Sequence, residues 1–207
     1  MKEVNWEMIN SFRDTFYYIF NFLEKRFFIK KIELIKPSLS YEQEVMDFKE
    51  EIRQANDTDA FAGCTCLEVC DSFNEWIAFL DCLSDEKISF KDKVPSTTYL
   101  AVTPKKRVIG IIDLRHHIHH PILSTWGGHI GYTVRPSERG KGYGKEMLRL
   151  NLIHAYEMNI PEVLVTCHAN NLASEKVILA NGGVFEKEIE VDGEKIKRYW
   201  IKTEPFY

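Results

Sequence analysis

The densest chemistry in this chain lies between Gly131 and Lys145, which reads GYTVRPSERGKGYGK. A β-branched run enters a short basic loop carrying Gly140, Gly142 and Gly144, and a helical pattern follows directly. Glycine lets a backbone approach a ligand closely and adopt left-handed dihedrals. The first-turn amides of the helix then point at one spot, with the positive end of the helix dipole behind them. Arg139, Lys141 and Lys145 add mobile positive charge around it. Such a turn suits a phosphate or diphosphate. The eight-residue Walker frame and the Gly-x-Gly-x-x-Gly dinucleotide fingerprint are both absent. The bland alternative is a tight strand-to-helix turn with basic residues for solubility.

The elements around this segment follow from periodicity. Phe12, Phe16, Ile19, Phe20 and Leu23 predict an amphipathic helix over residues 1–28, set apart from a domain over 29–207. A strand is expected over Lys31–Lys36, a helix from an N-cap at Ser40 to Asn56, and a second helix over Ser72–Leu83. Thr97–Val102 and Val108–Leu114 read as a hairpin, and His129–Val134 as the strand entering the basic loop. A helix over Gly140–Met158, a buried strand over Val163–Cys167 and a helix over Leu172–Ala180 come next. A last hairpin, Val184–Val191 with Ile196–Ile201, turns at Asp192-Gly193. One mixed α/β sheet with helices on both faces is the natural packing.

Composition narrows the class. With 207 residues, 44% hydrophobic and 28% charged, the chain is globular rather than disordered or coiled-coil. The longest uncharged run near the N-terminus, Thr15–Leu23, is nine residues, against the ~20 that span a bilayer. No membrane partner and no signal peptide are expected. Five cysteines are an odd number in a chain too long to need disulfides, so they read as reduced thiols of a cytoplasmic protein. A net charge of -4 gives no reason to expect nucleic acid. The charge is uneven: Ser40–Asp92 holds 14 acidic and 4 basic residues, whereas Arg135–Lys145 holds four basic residues and Glu138. The acidic stretch is either solvated helix surface or the neighbourhood of a cationic ligand.

The frame Arg139-x-x-Gly142-x-Gly144, with a strand before and a helix after, resembles the acyl-CoA loop of the GNAT superfamily of N-acetyltransferases. Asn171-Leu-Ala-Ser174, followed by Asn181-Gly182-Gly183, matches a second block of that family in order and spacing. The resemblance spans roughly Ile32 to Trp200. It implies a GNAT-like α/β fold: a mixed, mostly antiparallel central sheet of about seven strands, with helices on both faces and a splayed β4/β5 pair. The pantetheine arm of acetyl-CoA, the co-substrate, would lie in that gap against main-chain groups of Tyr132, Thr133 and Val134. Arg139, Gly140, Lys141, Gly142, Tyr143, Gly144 and Lys145 would hold its diphosphate, with Asn171 and Ser174 on its far side. The implied reaction is N-acetylation of an amine in a small, cationic molecule or a peptide. A non-catalytic acyl-CoA-binding module is the alternative, and a homodimer is left open.

An amine of pKa ~10 is almost all ammonium at neutral pH, so a proton must leave. His129 and Asp113 are the candidate bases. Many family members carry a tyrosine seven residues after the motif asparagine; here that position is Ile178. Two further clusters attract notice. The run His116-His117-Ile118-His119-His120 beside Pro121 reads as a loop near the acceptor mouth, and Cys64, Cys66 and Cys70 lack the usual zinc spacing. No metal is expected.

Overall fold

Val45, Phe48 and Ile52 recur at helical spacing, and Ile109, Ile111 and their neighbours form a β-branched run. The computed structural model, which describes residues 32–55, 57, 60–85 and 93–204, turns both patterns into packed elements. In order these are β1 (Glu33–Ile35), α1 (Glu42–Ala55), α2 (Phe73–Ser84), β2 (Ser96–Val102) and β3 (Val108–Arg115). They are followed by β4 (Ile130–Val134), α3 (Tyr143–Glu157), β5 (Glu162–His168), α4 (Leu172–Leu179), β6 (Val184–Val191) and β7 (Glu194–Lys202). The helix expected over residues 1–28 lies outside the described residues.

Strand ends move by a residue or two from expectation, as in β1 and β7, and two helix starts differ for local reasons. Ser40 does not cap α1: a 3-10 turn over Leu39–Tyr41 intervenes, and the Ser40 hydroxyl pairs with that of Ser38 at 2.9 Å. Helix α3 begins at Tyr143 rather than at residue 140, because Gly140 and Gly142 stand at φ of +72° and +85°, outside helical space. By contrast, Ser72 does cap α2. Its hydroxyl accepts the Glu75 N–H at 3.1 Å, while the Glu75 carboxylate accepts the Asp71 N–H at 2.9 Å.

The seven strands form two sheets, ordered β1-β2-β3-β4 and β5-β7-β6, with every pairing in them antiparallel. The splay between β4 and β5 that the resemblance implied is wide enough to leave two separate sheets. The two sheets are joined at one vertex, where the His129 N–H donates to the Leu164 carbonyl at 2.8 Å. The Leu164 N–H in turn donates to His129 Nδ1 at 2.9 Å. Gly128 permits this approach, since a β-carbon there would stand 2.6 Å from the Leu164 carbonyl oxygen.

Apolar burial follows the same division. One cluster joins Met147, Leu148 and Leu152 of α3 and Ile178 of α4 to Ile112, Leu114, Val163, Val165 and Tyr199. The other joins Val45, Phe48 and Ile52 of α1 and Trp76 of α2 to Leu100, Val102 and Ile111. Each fully buried aliphatic or aromatic side chain contributes about 1.5–3 kcal/mol. The β2–β3–β4 sheet thus has helices on both faces: β2 and β3 give side chains to both cores, and β4 packs into the α3–α4 cluster through Ile130, Tyr132 and Val134.

Candidate active site

Strand β4 has one edge bonded and one edge open. The Arg115 N–H donates to His129 O at 2.8 Å, and the Arg135 N–H donates to Ile109 O at 2.7 Å. Antiparallel alternation then directs the backbone groups of Gly131 and Thr133 to β3, and those of Ile130, Tyr132 and Val134 to the opposite edge. Tyr132, and Val134 through its N–H, can therefore present main-chain groups to a ligand lying beside β4. Thr133 cannot: its amide and carbonyl face β3, and its hydroxyl donates to Ala62 O at 2.7 Å. Ala62 and Gly63, on the connection from α1 to α2, cover this side of the strand, where Gly63 lies backbone to backbone against Gly131.

At the end of β4 the chain turns through Pro136–Glu138 and enters α3 at the left-handed Gly142. A β-carbon on Gly142 would meet nothing within 4 Å, so its φ, not crowding, calls for glycine. The Glu146 N–H is bonded back to Gly142 O at 3.3 Å. The amides of Gly144 and Lys145 precede it and have no carbonyl one turn back inside the helix. Gly144 seats this first turn, since a β-carbon there would touch Val177 at 3.3 Å and Val134 at 3.4 Å. The arrangement is an anion-binding helix start immediately beyond an open strand edge.

The basic residues of the loop divide into two kinds. Arg135 is only 3% exposed and lies between Glu44 (3.3 Å) and Glu51 (3.4 Å) of α1, over the ring of Phe48. Burial raises the Glu51 carboxyl, but hydrogen bonds from Ser137 and the charges of Arg135 and Arg107 outweigh it and leave its pKa below the ordinary value. Arg139 and Lys141 stay at the surface. Arg139 Nε donates to Val134 O at 3.2 Å and its Nη1 lies 2.6 Å from Asp57. Lys141 reaches Ser137 O and Glu138 at 2.8 and 2.9 Å. Glu138 also meets Arg107 at 3.4 Å. The acidic stretch of the sequence is thus spent in part on this loop, through Glu44, Glu51 and Asp57.

Helix α4 supplies the far wall. Asn171 caps it, its side-chain oxygen accepting the Ser174 N–H at 3.0 Å. The Ser174 hydroxyl meets the Tyr132 hydroxyl at 2.9 Å, so a β4 side chain and α4 are joined on the α3 side of the strand. Burial pushes the Tyr132 phenol up to about 12, with the Ser174 hydrogen bond opposing. Tyr132 therefore stays protonated at neutral pH.

A sequence profile for the Acetyltransferase (GNAT) domain matches residues 42–184. The chain belongs to the GNAT acetyltransferase family. Solved structures agree on the fold. RimL, a ribosomal L7/L12 α-N-protein acetyltransferase in complex with coenzyme A, superimposes with a TM-score of 0.59 at 16% identity, covering 83% of this chain and 93% of that one. Mycobacterium smegmatis RimJ in complex with CoA-disulfide gives 0.59 at 16%, covering 83% and 81%. Spermidine N-acetyltransferase SpeG from Vibrio cholerae gives 0.54 at 14%, covering 84% and 95%. No curated protein matches the sequence.

In this GNAT acetyltransferase the two candidate bases are spent on structure. His129 is 6% exposed, and its Nδ1 accepts from Leu164, so the proton sits on Nε2 and no basic nitrogen faces an acceptor. Burial, followed by the charge of Arg115, lowers its pKa to about 4. Asp113 is 3% exposed, accepts from the Thr98 hydroxyl at 2.8 Å and lies 3.8 Å from Arg115. Ile178, in the place of the family's frequent tyrosine, is fully buried in the α3–α4 core.

The histidine run is a turn. His117 Nδ1 accepts the His119 N–H, and His120 Nδ1 accepts the Ile122 N–H. His116 pairs with the Thr97 hydroxyl. Cys64 is buried, and its thiol is pushed up to about 12, chiefly by desolvation. Among the described residues no group of three or more histidine, cysteine or acidic side chains could hold a metal ion, and no helix is long and apolar enough to cross a membrane. Sequence reasoning missed the roles of Arg135, Asp57 and Ala62. The only available signal was the excess of acid before the loop and of base within it.

Proposed function

We propose that this acetyltransferase moves acetyl from acetyl-CoA to an amine of a small cationic molecule or a peptide, by direct attack within a ternary complex. The observation that carries the reading is the open edge of β4 at Tyr132 and Val134, leading straight to the helix start at Gly142–Lys145. Pantetheine pairs with that edge, and the diphosphate rests on the amides of Gly144 and Lys145, with Arg139 and Lys141 beside it. An outward N–H of β4 stabilises the oxyanion formed at the thioester carbon. Acceptor amines named for the structural neighbours, spermidine and ribosomal protein, support an amine substrate. The exposed Glu68, Asp71 and Asp81 leave negative charge for a cationic one.

With His129 and Asp113 occupied, the amine reacts through its neutral fraction and its proton passes to water. The hydroxyl pair Tyr132–Ser174 stands beside the edge and donates to the departing thiolate in place of the tyrosine that Ile178 replaces. The test is thiol release from acetyl-CoA against a panel of polyamines, aminoglycosides, lysine peptides and free peptide N-termini. One CoA should appear per acetylated amine. The rate should climb with pH toward the amine's own pKa, without levelling near the ~6.5 of an ordinary histidine. Tight CoA binding with no turnover of any amine would overturn the reading and leave an acyl-CoA-binding module.

A further inference from the structure

The loop cations that face solvent are not idle. Arg139 is 42% exposed and holds Asp57, itself 38% exposed, at 2.6 Å. Lys141, also 42% exposed, holds Glu138 at 2.9 Å. A guanidinium fork that accepts a carboxylate accepts a phosphate with the same geometry, and the two compete for it. Arg139 is tethered in place through its Nε bond to Val134 O, on the open edge of β4. Its Nη1 is thus presented beside that edge with a carboxylate already on it. Arg135 differs, because its carboxylates hold it in the interior.

We infer that Asp57 is an internal competitor of the coenzyme's diphosphate for Arg139, and that Glu138 plays the same, lesser part at Lys141. The inference rests on the coenzyme site proposed above. An ion pair this exposed is weakly held and exchanges readily. Binding then replaces an Arg–carboxylate contact by an Arg–phosphate contact, and the displaced Asp57 remains close enough to repel the diphosphate. The consequence is a coenzyme that binds less tightly than the bare cations would allow and is released more easily after transfer.

The experiment is titration of coenzyme A by calorimetry into the wild-type protein, Asp57→Asn, Glu138→Gln and Asp57→Asn/Arg139→Ala. Asp57→Asn should tighten Kd about three- to tenfold at low salt, as expected when one repulsive charge is removed beside an anionic ligand. Glu138→Gln should tighten it less. The gain should shrink as salt is raised, because screening relieves the same repulsion, and should disappear without Arg139. Unchanged or weaker binding by a folded Asp57→Asn would overturn the inference and make Asp57 a scaffold contact. Failure of the wild-type protein to bind coenzyme A at all would instead overturn the site itself.

Discussion

At the scale of one residue, His129 shows how burial decides an ionisation. Its Nδ1 is committed to the Leu164 amide, and burial holds its pKa near 4. The unfolded chain takes up a proton near pH 6.5, where the folded one does not. Between about pH 6.5 and 4 the unfolded state therefore binds more protons, and stability falls as pH drops through that window. The full loss is roughly 3 kcal/mol from this group alone. His129→Gln keeps an acceptor for the Leu164 N–H but removes the titration. Urea denaturation at a series of pH values should show a shallower acid loss in the variant, and an identical slope in both proteins would refute the assignment.

At the scale of the element, the β4–α3 junction works because three short-range requirements coincide. β4 must leave one edge unpaired, Gly142 must adopt φ of +85°, and Gly144 must let the first turn of α3 sit against Val134 and Val177. Gly142→Val breaks only the second of these. Valine is β-branched and strongly disfavours that dihedral, so the helix start should reorganise while the cores on either side persist. The expected result is a loss of coenzyme A affinity of at least tenfold, a cost of about 1–3 kcal/mol in stability, and an unchanged circular dichroism spectrum. Gly144→Glu puts atoms into a contact between two helices and a strand, so it should lower stability as well as binding. Melting temperatures measured beside the titrations would separate the two effects.

At the scale of the whole molecule, α1 and the loop between β4 and α3 are fastened by charge across a long stretch of chain. Arg135 donates to Glu44 O at 2.8 Å and meets the carboxylates of Glu44 and Glu51, while the Ser137 N–H donates to Glu51 at 2.6 Å. Removing the cation takes the shared partner from two carboxylates and leaves them only the N–H groups of Ser137 and Val108 and the charge of Arg107. Arg135→Met should cost about 2–4 kcal/mol and should also weaken coenzyme A binding, because the loop loses its anchor on α1. The prediction is checked by denaturation together with calorimetry. A destabilised variant that binds coenzyme A as the wild type does would show that the loop holds its shape without α1.

Much of this site could be read from local order along the chain. The glycines at 140, 142 and 144, the strand before them and the helix after them are neighbours in sequence, so their dihedral and amide requirements are written there. The hairpin at Asp192-Gly193 and the helical spacing of Phe73, Trp76 and Leu80 were legible for the same reason. Helix starts slipped where a turn intervened, as at Ser40, or where left-handed glycines kept the helix from starting early, and strand ends moved by a residue or two, as in β1 and β7. What periodicity could not reveal was which partner each group would find. The split between two sheets, the open edge of β4, the clamp made by His129, and the carboxylates on Arg135 and Arg139 all join residues far apart in the chain. Those pairings are selected by tertiary packing, and burial at the β4–β5 vertex changed His129 from a plausible base into a structural hydrogen-bond acceptor.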